Sequence, residues 1–355
     1  MTYRNPQQHF SFADLAVEMH ADKNRCLAIL KQLNLTIDWE PIELLLEKFY
    51  HVGKPAEGGR AYPPLLLFKC LMLQKWFQIP SDPELESQIN DRISFKSFLG
   101  LPLDQPAPDH STFSRFRNRL SKKAMVQLNS GLLAQFHQHG ITINEGIAID
   151  ARLIRSASKP IPNNKLNELR KKQNNPDGNL DKNGKPKKFS RDLESDWTVK
   201  NDVPHFGLKE HASVDIENGL ILSTNITTAS HSDSTYLPYA TIYSMHTSQK
   251  IKVVYADKGY AGSPNRKFLS MNHIADGIMR KNNINAALTE TEIARNKAIS
   301  KRRYIVEQYF GITTLFDNQG RARFTTIVKN SIDAMFRQFA FNLRKGAGIL
   351  RRLPA

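Results

Sequence analysis

At Asn144 the hydrophobic period of the chain changes, and that change limits the fold more than any other feature of the sequence. From Phe12 to about His139 apolar residues recur at three- and four-residue spacing, as in Ile29, Leu30 and Leu33, and Pro63-Pro64 open the run LLLFKCLMLQKWF. Beyond Asn144 the segment GIAIDARLI sets β-branched residues around a single acid, Asp150. A helix-period pattern does not sit as a strand, nor the reverse. The chain therefore reads as an all-α region followed by a unit that contains a sheet.

The later part of the helical region predicts short helices over Asp82 to Ile89 and Ser94 to Leu99. A proline-bearing connection, LPLDQPAPD, follows, then a helix opening at Ser111 or Thr112. In STFSRFRNRL, Arg115, Asn118 and Arg119 share one side while Phe113 and Phe116 share another, so this helix is amphipathic and suited to a DNA groove or to plain solvent exposure. After the first strand, Arg152 to Lys209 carries 14 basic and 7 acidic residues and is expected to be a strand-poor, exposed insertion at about residues 156–204. GLKEHASVDIENGLILSTNITTA reads as a hairpin turning at Glu217-Asn218-Gly219, and His231 to Met245 as a helix. KIKVVYADKGY is a strand, Ser263 or Pro264 opens a helix, and HIADGIMRK is another strand. A long helix is expected from about Thr289 to Phe310, with a further amphipathic one over Ser331 to Leu350. The fold class is thus α+β or mixed α/β: helices over 1–140, a mixed sheet flanked by helices over 141–330, and a C-terminal helix over 331–355.

Lysine and arginine outnumber aspartate and glutamate 50 to 34, a net charge of +16, which favours polyanionic partners and puts nucleic acid first among them. The only cysteines, Cys26 and Cys70, form no CxxC pair, so neither a disulfide framework nor a structural zinc site is expected. MTYRNPQQHF has no apolar signal core, and no run approaches the roughly 20 residues of a membrane-spanning helix.

Three acids fall where an α/β site would gather them: Asp150 on the first strand, Asp257 at the carboxyl end of the apolar strand VVYAD, and Glu307 on the long helix. Asp150 is the only charge in an otherwise apolar IAID, and an unpaired buried carboxylate is costly, so a metal or a cationic partner is called for. Glu307 follows Arg303 by four residues and has the competing reading of an ordinary surface ion pair. Three hard oxygen ligands suit Mg²⁺ in phosphoryl transfer, where two ions about 3.5–4 Å apart serve nucleophile and leaving group. Ser156 and Ser158 follow Asp150, but no Ser-His-Asp arrangement can be assigned to them.

AIDARLIRSAS, GLKEHASVD, TTASHSDS, VVYADKGYAGSPNR, GIMRK, RNKAISKRR and RRYIVEQYFG together resemble the catalytic domain of bacterial insertion-sequence transposases of families four and five. The resemblance covers most of residues 140–345, and LLLFKCLMLQKWF with PDHSTFSRFRNRL is similar to the N-terminal domain of those proteins. It implies a ribonuclease H-like core with Asp150, Asp257 and Glu307 as catalytic and metal-binding triad, two Mg²⁺ ions that Mn²⁺ can replace, and DNA cleavage followed by strand transfer at terminal inverted repeats. Arg303, Lys209, His231, Lys258, Arg302 and Lys301 are then expected near DNA at the catalytic unit, and Arg115 and Arg119 in a DNA-binding or dimerising N-terminal region.

The family's signature is Tyr, two residues, Arg, three residues, Glu, six residues, Lys. Arg303 and Glu307 match it, while Ser300 stands at the tyrosine position and Thr314 at the lysine position. Nearby Lys301, Arg302 or Tyr304 are the available substitutes. Only 50 positions separate Asp257 from Glu307, so a compact core without a large β-insertion is expected. The partners implied are double-stranded DNA at transposon ends and target, and a second copy in a homodimer or higher oligomer. The place implied is the bacterial cytoplasm, at the nucleoid. The alternatives are a nuclease or resolvase with the same core, and a domesticated protein that binds DNA without cutting it.

Overall fold

The computed structural model describes residues 23–52, 61–143, 146–175, 191–247, 251–282, 286–316 and 320–352, with Tyr3, Met19, Leu180 and Gly184 besides. The start of the helical reading at Phe12, and residues 176–179, 181–183 and 185–190 of the basic stretch, lie outside the described residues. The chain divides into two compact units, residues 1–143 with 335–355, and residues 144–334.

The first unit contains helices α1 (Arg25–Leu35), α2 (Glu40–Phe49), α3 (Pro64–Trp76), α4 (Asp82–Asp91), α5 (Ile93–Leu99), α6 (His110–Arg119) and α7 (Lys122–Gln138). Their starts follow from local chemistry. The Ser81 hydroxyl accepts from the Glu84 N–H at 3.2 Å and Asp109 accepts from the Ser111 N–H at 2.7 Å. That cap starts α6 at His110, one residue before the sequence reading. The core is aromatic: Phe68 meets Phe336 and Phe339 with ring centroids 5.2 and 5.0 Å apart, and Tyr50 meets Phe116 at 5.0 Å. Phe336 and Phe339 come from α12 (Ile327–Leu350), which starts four residues before the predicted tail helix. From Met335 onward the C-terminal segment belongs to the helical unit, where the Trp76 Nε1–H also donates to the Ala340 carbonyl at 2.9 Å.

The second unit is a six-stranded sheet with helices. Its strands are β1 (Gly146–Arg155), β2 (Asp196–Lys200), β3 (Val203–Asp215), β4 (Ile221–Thr228), β5 (Val253–Ala256) and β6 (Ala275–Ile278). Its helices are α8 (Asn163–Asn174), α9 (Leu237–Met245), α10 (Ser263–Met271) and α11 (Glu290–Phe316). β1 pairs antiparallel with β3 and parallel with β5, and β5 pairs parallel with β6. β3 is long enough to pair along its other edge with β2 over Val203–Gly207 and then with β4 from Leu208 onward. The β3–β4 hairpin is the predicted one, and Gly219, at φ 66°, supplies the left-handed residue of its turn.

Two expectations are corrected. The basic stretch is not strand-poor: β1 runs on to Arg155, α8 follows, and β2 and β3 form a hairpin through Asn201 and Asp202, both at positive φ (51° and 60°). Ile161, Leu166, Leu193 and Phe206 close a small core there, and the Arg170 guanidinium donates to the Leu193 and Ser195 carbonyls. The apolar alternation of WTVKNDVPHF was the available signal, outweighed by the charge around it. His231 to Met245 is not one helix: a 3₁₀ turn, Asp233–Thr235, precedes α9, whose second residue is Pro238. Proline lacks the N–H that a continuous helix would use and fits the first turn of a new one.

Candidate active site

Asp150 follows the buried run Gly146–Ile149 in the middle of β1, and the parallel register, carried two pairs beyond Ala148↔Tyr255, sets it level with Asp257, which directly follows β5. Asp257 caps the 3₁₀ turn Lys258–Tyr260 through the Gly259 N–H, which donates to its Oδ1 at 2.8 Å. A Cβ on Gly259 would stand 2.9 Å from that oxygen, so any larger residue there pushes on the Asp257 carboxylate. Glu307 is on α11, which packs against β1, β3 and β5 through a face that includes the buried residues Val306, Tyr309 and Phe310.

Arg303 joins these groups. Its Nη2 donates to Asp150 Oδ2 at 2.7 Å, and its Nη1 lies 3.9 Å from Glu307 Oε1. The i,i+4 Arg303–Glu307 contact exists, but it is the looser of the two, and the Arg303 side chain is only 8% exposed. Burial pushes the Asp150 carboxyl up to about 6; Arg303 opposes the shift, and the nearby negative charges of Asp257 and Glu307 add to it. The three predicted acids thus share one electrostatic environment although they come from three elements. They are more widely spaced than a closed ligand set: among the described residues, the group whose ligand atoms all lie within 4.8 Å of one another is Glu86, Asp109 and His110 in the helical unit. There Glu86 accepts from both the N–H and the ring of His110 at 2.9 Å and Asp109 caps α6, so this group closes a helix start.

A second ionic chain, absent from the sequence reading, lies beside the acids. Arg152, two residues along β1 on the same face as Asp150, pairs at 2.7 Å with Glu210, which is fully buried on β3. Glu210 also accepts from the Tyr309 hydroxyl at 3.0 Å and the Thr224 hydroxyl at 3.2 Å. Arg152 Nη1 donates to Thr314 Oγ1 at 2.8 Å. Where the family signature has lysine, this chain therefore places a guanidinium that arrives from β1. The i,i+2 spacing from Asp150 was the sequence signal for it.

The remaining predicted residues separate into exposed and internal ones. Lys258, Lys301 and Arg302 face solvent. Arg115 and Arg119 are exposed on α6; Arg115 donates to the Ser111 and Thr112 hydroxyls, and Arg119 bonds the Tyr50 hydroxyl. Lys209, expected at DNA, is turned inward: its ammonium donates to the His231 carbonyl at 2.6 Å and pairs with Asp233 at 2.8 Å, with the side chain 12% exposed. His231 is half-buried and bonds Thr235 at 3.1 Å. Both hold the turn after β4 in place. His211, stacked on Tyr236 at 4.0 Å, is pushed down to about 3 by burial first and then by Lys209 and His231, so it stays neutral. Ser156 donates to buried Asp192 at 2.7 Å and is structural.

The strand order β4-β3-β1-β5-β6, antiparallel through β1 and parallel after it, with helices flanking the sheet, is that of a ribonuclease H-like domain. Residues 143–343 match the family model described as Transposase DDE domain, and residues 17–119 match Transposase domain (DUF772). A relative described as the transposase for insertion sequence element IS1106, from Neisseria meningitidis serogroup B, is 31% identical over 242 residues, covering 67% of this chain and 78% of the relative. The chain belongs to the DDE transposase family of insertion-sequence enzymes. No solved structure matches it. Membership implies divalent-metal chemistry and a DNA substrate. The donor set fits a hard cation: three carboxylates, one of them buried with its charged form disfavoured, a situation that a bound cation reverses. No described helix is long and apolar enough to cross a membrane.

Proposed function

We propose that this transposase binds the terminal inverted repeats of its own insertion sequence as a homodimer or higher oligomer. There it cuts and joins DNA with Mg²⁺, or Mn²⁺ in its place, held by Asp150, Asp257 and Glu307. The observation that carries the reading is Arg303, bonded to Asp150 and next to Glu307, in a site where Asp257 adds its charge to that of Asp150. When bound, the ions supply Lewis acidity to the attacking and leaving oxygens of the phosphodiester. The chain itself supplies position: the middle of β1 and the end of β5 fix the two aspartates, and Arg303 sets the glutamate against Asp150. Lys258, Lys301 and Arg302, exposed beside these residues in the chain, are the groups that take DNA phosphates. Arg115 and Arg119 on α6 offer a second basic surface, on the helical unit.

The test uses the DNA flanking the gene as labelled substrate. Wild type with Mg²⁺ is expected to cut and join it. Asp257→Ala is expected to bind it with similar affinity and to lose about a thousandfold in rate, since metal stabilisation of the transition state amounts to several kcal/mol. Cleavage that never proceeds to joined product assigns the chain to the nucleases instead.

A further inference from the structure

On α11, Arg303, Glu307, Phe310 and Thr314 follow one another at helical spacing and fall on one stripe. That stripe is tied to β1 on either side of Glu307. Before it, Arg303 Nη2 donates to Asp150 Oδ2 at 2.7 Å; after it, Thr314 Oγ1 accepts from Arg152 Nη1 at 2.8 Å. The same Nη1 reaches the Phe310 carbonyl at 3.5 Å, and the Arg152 guanidinium lies 5.6 Å from the centroid of the Phe310 ring.

Arg152 is held from the sheet as well. It stands opposite Glu210 in the β1–β3 register, its Nε donates to Glu210 Oε2 at 2.7 Å, and its Nη2 lies 2.7 Å from the same oxygen. Glu210 Oε1 accepts from the Tyr309 and Thr224 hydroxyls, so both carboxylate oxygens are engaged although the residue is fully buried. One guanidinium thus spans from β3, across β1, to the helix that carries Glu307.

Stability alone gives little reason for this arrangement. A buried ion pair replaced as a whole by neutral residues of similar volume often leaves a protein as stable as before, or more so. The other contacts of this stretch, through Val306, Tyr309 and Phe310, are mainly apolar, and apolar burial has no preferred direction. Such packing keeps α11 on the sheet without fixing its rotation or its place along its own axis. The directional bonds from Arg152 to Thr314 and Phe310 fix both.

We propose that Arg152, held by Glu210, is a positioning residue that locks α11 in the setting where Glu307 meets Asp150 and Asp257 around the divalent cation. The proposal rests on the reading of those three acids as metal ligands. Groups that orient a metal ligand from outside the ligand set typically change metal affinity by roughly ten- to a hundredfold when lost.

The experiment titrates Mn²⁺ by calorimetry into full-length wild type, Asp257→Ala, Thr314→Val and the double variant Arg152→Met/Glu210→Gln, and follows urea unfolding of each without metal. The double variant removes both charges together and keeps an amide oxygen for the Tyr309 and Thr224 hydroxyls. It is expected to unfold close to wild type and to bind Mn²⁺ about tenfold or more weakly. Thr314→Val removes only the exposed acceptor on α11, and is expected to keep wild-type stability and to weaken Mn²⁺ binding by a smaller factor. Wild-type affinity in both, with binding lost in Asp257→Ala, overturns the role of Arg152 and leaves the ligand reading intact. If the double variant is clearly less stable, Thr314→Val decides alone, and wild-type affinity there overturns the proposal. Failure of the wild type to bind Mn²⁺ overturns the ligand reading and this inference with it.

Discussion

Arg117 in the helical unit and Arg303 in the sheet unit are both nearly excluded from solvent, with side chains 3% and 8% exposed, but they are satisfied to different degrees. Arg117 donates to both oxygens of Asp82, at 3.0 and 2.9 Å, and to Gln74 at 3.3 Å. Arg303 makes one close bond, to Asp150, one distant approach to Glu307, and leaves its buried Nε–H without an acceptor. A bidentate pair with its guanidinium buried fixes a structure. A half-satisfied one, next to an acid whose charge is disfavoured, keeps a cation ready to change partners. The two units differ in the same way: one is organised by aromatic packing, the other tolerates buried charge where its chemistry lies.

The sharpest way to break this comparison is to remove each guanidinium. Arg117→Met strands Asp82 and is expected to lower stability by about 3–5 kcal/mol, whereas Arg303→Met is expected to cost less while strand joining collapses. Equal losses in urea unfolding would erase the distinction. Next in size is the cost of the Asp150 charge itself. Its carboxyl is held at about 6 against an ordinary 3.8, so the fold favours the protonated form; that contribution is complete below about pH 4 and is lost as pH rises through about 6. Asp150→Asn is therefore expected to be more stable than the wild type by about 3 kcal/mol near pH 7.5 without metal, to match it near pH 3.5, and to be inactive. A variant less stable at both values would make Asp150 a structural acid like Asp82. The smallest expected effect belongs to the ionic chain beneath α11. Tyr309→Phe removes one donor from the buried Glu210 and should cost about 1.5 kcal/mol, with Mg²⁺-dependent joining reduced through a looser Glu307. Joining that is unchanged in a destabilised Tyr309→Phe would make this network support for the fold alone.

Much of the fold was legible because it rests on local pattern. The switch of period at Asn144, the hairpin at Gly219, the strand ending in Asp257 and the long helix carrying Glu307 all express side-chain spacing that one segment contains by itself. The β2–β3 hairpin was missed although its alternation was present, because charge density was weighed above period. The two-piece element over His231 to Met245 was missed although Pro238 announced it.

The sequence by itself determined the two-part architecture, the basic character, and the three acids proposed to carry the family's chemistry. Only the tertiary structure decided which charges face one another. It turned Lys209 inward to Asp233, gave Arg303 to Asp150, brought Arg152 to Glu210 and Thr314, and left the Tyr260 hydroxyl buried without a hydrogen-bond partner. The physical reason is range. Period and capping act within a few residues, whereas an ion pair between positions 150 and 303 exists only once the β1–β3–β5 sheet and α11 have set its geometry.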